Sequence, residues 1–265
     1  MSELAPDLAP LLTATIAWMC RGAALAAAVN ALELLVLRSA WADRGIWRAP
    51  LLSSSWGVVR WLLGARAFTA VLVTQIVSAL ALSPGTTIGC VAAALLAFTG
   101  WLSALRFRGN VNGGSDAMLF TVLGGLAVAQ LPMVSRVVHE GGVLYIAAQL
   151  TLSYVRAGLV KAREPTWWRG EALAAFVALP AYGVPARVPR HLPHNALVLR
   201  VASVSVIGFE CLAPLAWLDP VACLVVIVVA SAFHLTTAVV FGLNRFLLAW
   251  SAALPPLWYA VHRVA

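Results

Sequence analysis

Eight stretches of the chain, at about 10–37, 65–82, 86–107, 115–133, 142–161, 196–217, 220–241 and 245–262, are apolar. Each is close to the roughly 20 residues that carry an α-helix across a bilayer. Lipid offers no partners to backbone N–H and C=O groups, so segments of this kind form helices and pack as a bundle. The expected fold is all-α: a polytopic membrane bundle of about eight transmembrane helices, within a range of seven to nine, making a single integral membrane domain over 1–265. Composition agrees, since 62% of the 265 residues are hydrophobic and 11% charged, against about 45–50% and about 25% in soluble domains. A soluble globular fold is excluded. The first run does not read as a cleavable signal, because Glu3 and Asp7 precede it where basic residues belong.

The net charge of +8 comes from 18 basic and 10 acidic groups, and in a membrane chain such an excess marks topology rather than nucleic-acid binding. Placing the N-terminus outside puts 14 basic residues on the cytoplasmic side and leaves two, Arg136 and Arg263, outside. With an even number of spans both termini lie outside. The connection 38–64 carries Trp41, Trp47, Trp56 and Trp61 among Arg38, Arg44, Arg48 and Arg60, a mixture suited to the headgroup level. The other long connection, 162–195, is rich in Pro, Trp and Arg. Cys20, Cys90, Cys211 and Cys223 sit in apolar runs at unrelated spacings and read as small core hydrophobes rather than a disulfide framework or zinc site.

Ionisable and strongly polar side chains inside a span are costly, so each is a candidate for function. Arg21, Glu33 and Asn30 lie in the first run, Arg156 and Lys161 in the fifth, Glu210 in the sixth and His234 in the seventh. Arg21 and Glu33 fall on different helix faces, which implies pairing with other helices or snorkelling. Glu210, one turn before Pro214 near the outer end of its run, either takes part in a site or caps the donors that the proline frees.

Lys161 stands apart because it is the only lysine among the 18 basic residues. A guanidinium cannot be deprotonated in a protein, whereas a desolvated ammonium can become a general base. The alternative is one more cytoplasmic positive charge at a helix end. Thr151, Tyr154, Gly158 and Lys161 recur at spacings of three, four and three, along one helix face. Gly158 would open a slot there for a flat ligand, with Tyr154 donating a hydrogen bond, or else it is a packing glycine. His234, Thr237 and Phe241 share a face in the seventh run. His139, His191, His194 and His262 show no ligand spacing with His234, so no metal site is expected. The turn Asn112-Gly113-Gly114-Ser115-Asp116 delivers Ser115 or Asp116 as a helix cap, and its amides suit a carbonyl oxygen or anion. Lipase, nucleotide-binding and zinc-protease motifs are absent.

Three segments together resemble one family. Tyr154-Val155-Arg156-Ala157-Gly158-Leu159-Val160-Lys161, followed by Pro165, Trp168, Gly170, Ala172 and Leu173, resembles the Y-x-x-A-G-x-x-K signature of the HTTM membrane domain, the family that contains vitamin K-dependent gamma-carboxylase. Phe233-His234-Leu235, with Phe241, Leu243, Phe246 and Pro255, is similar to its F-H-L stretch. The glycine turn at 112–116 is similar to the N-G-G-D turn of bacterial members. The resemblance covers about 105–258. It implies a helical membrane core that binds a vitamin K-like hydroquinone or other membrane quinol without a metal. Lys161 would be the catalytic base, helped by His234 and Tyr154, with Gly158, Thr237, Asn112, Gly113 and Gly114 around the ligand. No histidine stands near 112–116, where the carboxylase has a catalytic one, so the resemblance implies quinol binding more directly than glutamate carboxylation. Relatives of the sporulation-delaying-protein B type imply a second reading, maturation of a peptide toxin with a protein partner. A third reading, from the residues alone, is a non-catalytic membrane subunit in which Lys161 and nearby arginines hold lipid.

Overall fold

The computed structural model describes residues 8–48, 57–107, 114–179 and 195–264. Among them the structure is helical and contains no strand. The helices are α1 (Ala9–Val36), α2 (Arg38–Trp41), α3 (Gly57–Leu62), α4 (Ala65–Ala81), α5 (Thr87–Arg106), α6 (Gly114–Ala129), α7 (Arg136–Ala162), α8 (Pro165–Trp168), α9 (Glu171–Ala178), α10 (Ala196–Leu212), α11 (Pro220–Phe241), α12 (Asn244–Ala253) and α13 (Pro255–Val264), with a 3-10 turn Ala213–Trp217 after α10.

Among the described residues, five segments are long and apolar enough to cross a membrane: Ala9–Val36, Thr87–Arg106, Arg136–Ala162, Ala196–Trp217 and Pro220–Phe241. The apolar helices Ala65–Ala81 and Gly114–Ala129 are shorter. The eighth run is not one helix. Pro255 and Pro256 lack the N–H groups that a continuous helix needs there, and the run divides into α12 and α13.

Local chemistry sets the ends. Asp219 caps α11, its side chain accepting from the amides of Val221 and Ala222 at 2.8 and 3.0 Å with Pro220 in the first position, the arrangement that satisfies donors a helix cannot use itself. Gly242 closes the same helix with φ of 71°, a left-handed conformation that costs glycine nothing. Asn195 caps α10 through the amides of Leu197 and Val198. At Pro214 the α-helical ladder tightens into the 3-10 turn. Of the expected caps for α6, Ser115 and Asp116 lie inside its first turn instead, where a carboxylate suits the helix dipole.

The chain divides into two compact units, Met1–Ile146 with Leu248–Pro256, and Ala147–Leu247 with Leu257–Ala265. In the first unit, Trp41, Leu63, Phe68, Leu72 and Leu102 form a core cluster at one end of α1, α4 and α5. Close backbone approach does the rest. A Cβ on Gly142 would lie 2.6 Å from the Gly125 carbonyl, and one on Gly22 would lie 2.7 Å from the Ala252 methyl, as small residues permit in membrane helices. The Arg21 guanidinium lies 5.0 Å from the ring of Trp18, one turn earlier on α1. The free cysteines Cys20, Cys90 and Cys223 are buried, and Cys211 is half-buried.

In the second unit α10 is flanked over its two halves by different partners. Its later half packs on α7, with Gly158 against Cys211. Its earlier half packs on α8 and α9, where the Ser203 hydroxyl donates to the Trp167 carbonyl at 2.5 Å and Gly170 sits against Arg200. Helix α7 stops at the level of Glu210, about 20 Å short of the start of α10 at 1.5 Å per residue. The short helices α8 and α9 take over beyond that point.

Candidate functional site

The face of α7 that carries Thr151, Tyr154, Gly158 and Lys161 is used along its whole length. Trp217 Nε1 donates to Thr151 Oγ1 at 2.9 Å. The Tyr154 hydroxyl and His234 Nε2 share a hydrogen bond of 2.6 Å, with both residues buried. A Cβ on Gly158 would come within 2.8 Å of the backbone N and Sγ of Cys211. The slot expected beside Gly158 is therefore filled by α10, and the glycine is there for helix packing.

Lys161 ends this face. Its Nζ donates to both carboxylate oxygens of Glu210, at 2.7 and 2.6 Å, and lies 5.3 Å from the centre of the Trp167 ring. The lysine side chain is 19% exposed and the glutamate 5%, so the pair is largely withdrawn from solvent. Of the two alternatives for Glu210, it is the partner of Lys161 rather than a cap for the backbone near Pro214.

A cavity of about 520 Å³ opens beyond the end of α7, walled by α8, α9, α10 and α11. Trp167, Phe176, Phe233, Phe241 and Phe246 supply aromatic surface, and Val198, Leu199, Ala202 and Val206 the aliphatic side. Among the described lining residues Lys161 is the one that ionises. Thr236 and Thr237 are the hydroxyl-bearing ones, and their hydroxyls donate to the carbonyls of Ala232 and His234. Their protons are committed to the helix, so toward the cavity they offer lone pairs.

The cavity takes in Lys161 and Thr237 from the expected site and leaves out Tyr154, Gly158 and His234. The last three form the packed layer behind its wall. Phe233 and Phe246 both line the cavity and lie with their rings 5.0 and 4.9 Å from the His234 ring, and Phe209 stands 4.9 Å from Tyr154. Gly114 opens α6 in the first unit, whereas Asn112 and Gly113 lie outside the described residues. Among the described residues no three His, Cys, Asp or Glu side chains gather as a group that could hold a metal ion.

The tryptophan-glycine step at 167–170 carries a signal in its glycine. Gly170 has φ of 77°, and a Cβ there would meet the Arg200 backbone at 2.6 Å, so two independent constraints require glycine. That fit holds α8 and α9 against α10 and shapes the cavity wall. Outside the spans, Arg169 forms a two-point ion pair with Glu171 at 2.7 and 3.0 Å, and its guanidinium holds the Glu171 carboxyl below the usual carboxylate range.

Taken together, the described residues form helices, five segments of which are long and apolar enough to cross a membrane, with an apolar cavity whose lining includes Lys161 of an ion pair. No protein-family model, curated protein or solved structure matches it.

Proposed function

We propose that the chain is an integral membrane protein of about eight spans, with both termini outside a bacterial plasma membrane, that binds a membrane quinol or similar neutral lipid in the cavity beyond α7 and handles its proton through Lys161 and Glu210. The observation that carries this reading is the cavity's composition: aromatic and aliphatic walls with one ionisable group, Lys161, among the described lining residues. Its volume of about 520 Å³ falls within the roughly 300–1,000 Å³ of small-molecule sites. The lining suits a flat apolar ring with one hydrogen-bonding edge at Lys161. Bound there, a quinol supplies an acidic ring hydroxyl and two reducing equivalents for oxygen.

The protein's own contribution is positional and acid–base. Glu210 accepts a proton from Lys161 Nζ, leaving a neutral amine, and that amine accepts the ring hydroxyl proton. The pair as a whole then holds one added proton, with no unpaired buried charge before the transfer. Tyr154 and His234 do not touch the ligand in this arrangement; they are positioning residues that fix Phe233 and Phe246. The likeness of the α7 and α11 segments to HTTM proteins supports the same assignment of Lys161. Coupling to a peptide supplied by a protein partner, as in carboxylation or toxin maturation, is the extension that likeness suggests.

A non-catalytic lipid-binding subunit is the second reading, and the close fit of Gly158 against Cys211 favours it, because an ion pair beside such a contact can serve to lock α7 on α10. Mass spectrometry of lipids that copurify with the chain tests the cavity directly. A quinone enriched over bulk lipid in the wild type and lost in Ala202→Phe supports the first reading. A phospholipid lost in the same way supports the second, and equal recovery from both proteins removes the cavity from either.

A further inference from the structure

At one end of the first unit an arginine is buried with most of its hydrogen-bond donors unused. Arg106, the last residue of α5, is 1% exposed. Its Nη2 donates to the carbonyl of Trp41 at 2.5 Å and its guanidinium carbon lies 5.8 Å from the Phe68 ring centre. Its Nε and Nη1 make no hydrogen bond. Three of the five N–H groups of the fork are thus unused in a site closed to water. A buried lysine can escape such a position by losing its proton, but a guanidinium cannot. The Asp43 carboxylate acts on this guanidinium only through space and takes neither Nε nor Nη1, and buried donors left unused are costly, which points to an anionic ligand.

The surroundings say which kind. Trp41 stands edge-on to Phe68, and Phe107 stands edge-on to both Phe68 and Trp47, with centroid separations of 5.2, 6.1 and 5.5 Å. These contacts gather the end of α5, the start of α4 and the α2 turn at one place. From Leu37 to Ser115 the sequence places Arg38, Arg44, Arg48, Arg60, Arg66, Arg106 and Arg108 against a single acid, Asp43. Large apolar side chains are exposed among them, including Ile46 at 70%, Val58 at 73% and Trp61 at 69%. Tryptophan and aliphatic side chains turned outward between arginines match the headgroup level of a bilayer, where anionic lipid attracts basic segments.

We propose that this end of the first unit binds the phosphate of an anionic phospholipid, with Arg106 as its buried anchor and Arg44 and Arg48, on the turn that follows Trp41, as its outer contacts. The phosphate oxygens take the N–H groups that the fold leaves unused, and the acyl chains lie along the exposed apolar side chains. A zwitterionic lipid carries the same phosphate beside its own cation and would gain less from this rim.

Titrating phosphatidylglycerol or phosphatidylcholine into the full chain in neutral detergent, with bound lipid counted by native mass spectrometry, tests this. Phosphatidylglycerol should bind the wild type preferentially, and Arg106→Met should lose about tenfold in its affinity, the size of one charge-assisted contact. Unchanged affinity in Arg106→Met, or equal binding of the two lipids, overturns the proposal. Full displacement of the lipid by millimolar inorganic phosphate would assign the site to a free anion and overturn the lipid assignment. Should Arg106→Met fail to fold, the exposed pair Arg44→Gln and Arg48→Gln carries the test. A loss of about fivefold or more supports the proposal, and unchanged affinity overturns it.

Discussion

Lys161 and Glu210 meet at the point where α7 ends and the cavity begins, the ammonium of one within 2.7 Å of both oxygens of the other. Neither charge has another charged partner at hand in the cavity wall, so each is the condition for the other's burial. Lys161→Met alone should therefore lower stability by about 3 kcal/mol, because the Glu210 carboxylate is left buried without its cation. The double variant Lys161→Met with Glu210→Leu should recover most of that. Thermal unfolding in detergent reads both, and a double variant no better than the sum of the singles would mean that the two groups are not coupled.

Lys161→Arg separates chemistry from charge. The guanidinium keeps the ion pair but cannot give up its proton to become a base. The variant should fold with an unfolding midpoint within a few degrees of the wild type and lose quinol turnover. Full turnover in a folded arginine variant would exclude the base role.

Gly158 and Gly208 lie on α7 and α10 in opposite circumstances. A Cβ on Gly158 collides with the Cys211 backbone, whereas one on Gly208 meets nothing within 4 Å. Gly158→Ala should cost about 1–3 kcal/mol through overpacking. Gly208→Ala should be neutral or stabilising by up to about 1 kcal/mol, since alanine is the better helix former. Equal effects of the two substitutions would contradict the close approach of α7 and α10.

Tyr154→Phe removes the 2.6 Å hydrogen bond to His234 while keeping the ring against Phe209. A buried hydrogen bond lost on one side costs about 1–3 kcal/mol. The same variant should keep the ligand if Tyr154 acts only by positioning the wall. Loss of the bound lipid from a stable Tyr154→Phe protein would place the phenol in contact with it.

The exposed Arg169–Glu171 pair gives a pH signature. Its carboxyl titrates below the usual range because the guanidinium favours the charged form. Any stability it lends is present above the ordinary carboxylate range and fades as pH falls through the lowered value. NMR titration of Glu171 should show its midpoint rise in Arg169→Gln, and an unmoved midpoint would mean that the pair does not form in solution.

The apolar runs made the long helices legible. The run at 220–241 coincides with α11 residue for residue, because Asp219-Pro220 and Gly242 mark its ends chemically as well as by hydropathy. The run at 245–262 misled, since hydropathy averages over Pro255 and Pro256 while the hydrogen-bond ladder does not. In the site, periodicity placed Thr151, Tyr154, Gly158 and Lys161 on one face correctly. It could not say what that face meets, because a glycine that admits a ligand and one that admits a neighbouring helix look the same in one dimension. Glu210 was visible as a costly intramembrane acid, but its partner lies 49 residues away, and nothing in the pattern aligns the end of α7 with the later half of α10.

Because α7 ends beside Glu210 while α10 runs on, the room beneath Lys161 is governed by where one helix terminates. Adding a single turn after Lys161 would lower α8 by about 5 Å and shrink the chamber; removing one would deepen it. A chain built this way can retune the length of the molecule it accommodates by insertion or deletion at one terminus, leaving every wall residue untouched.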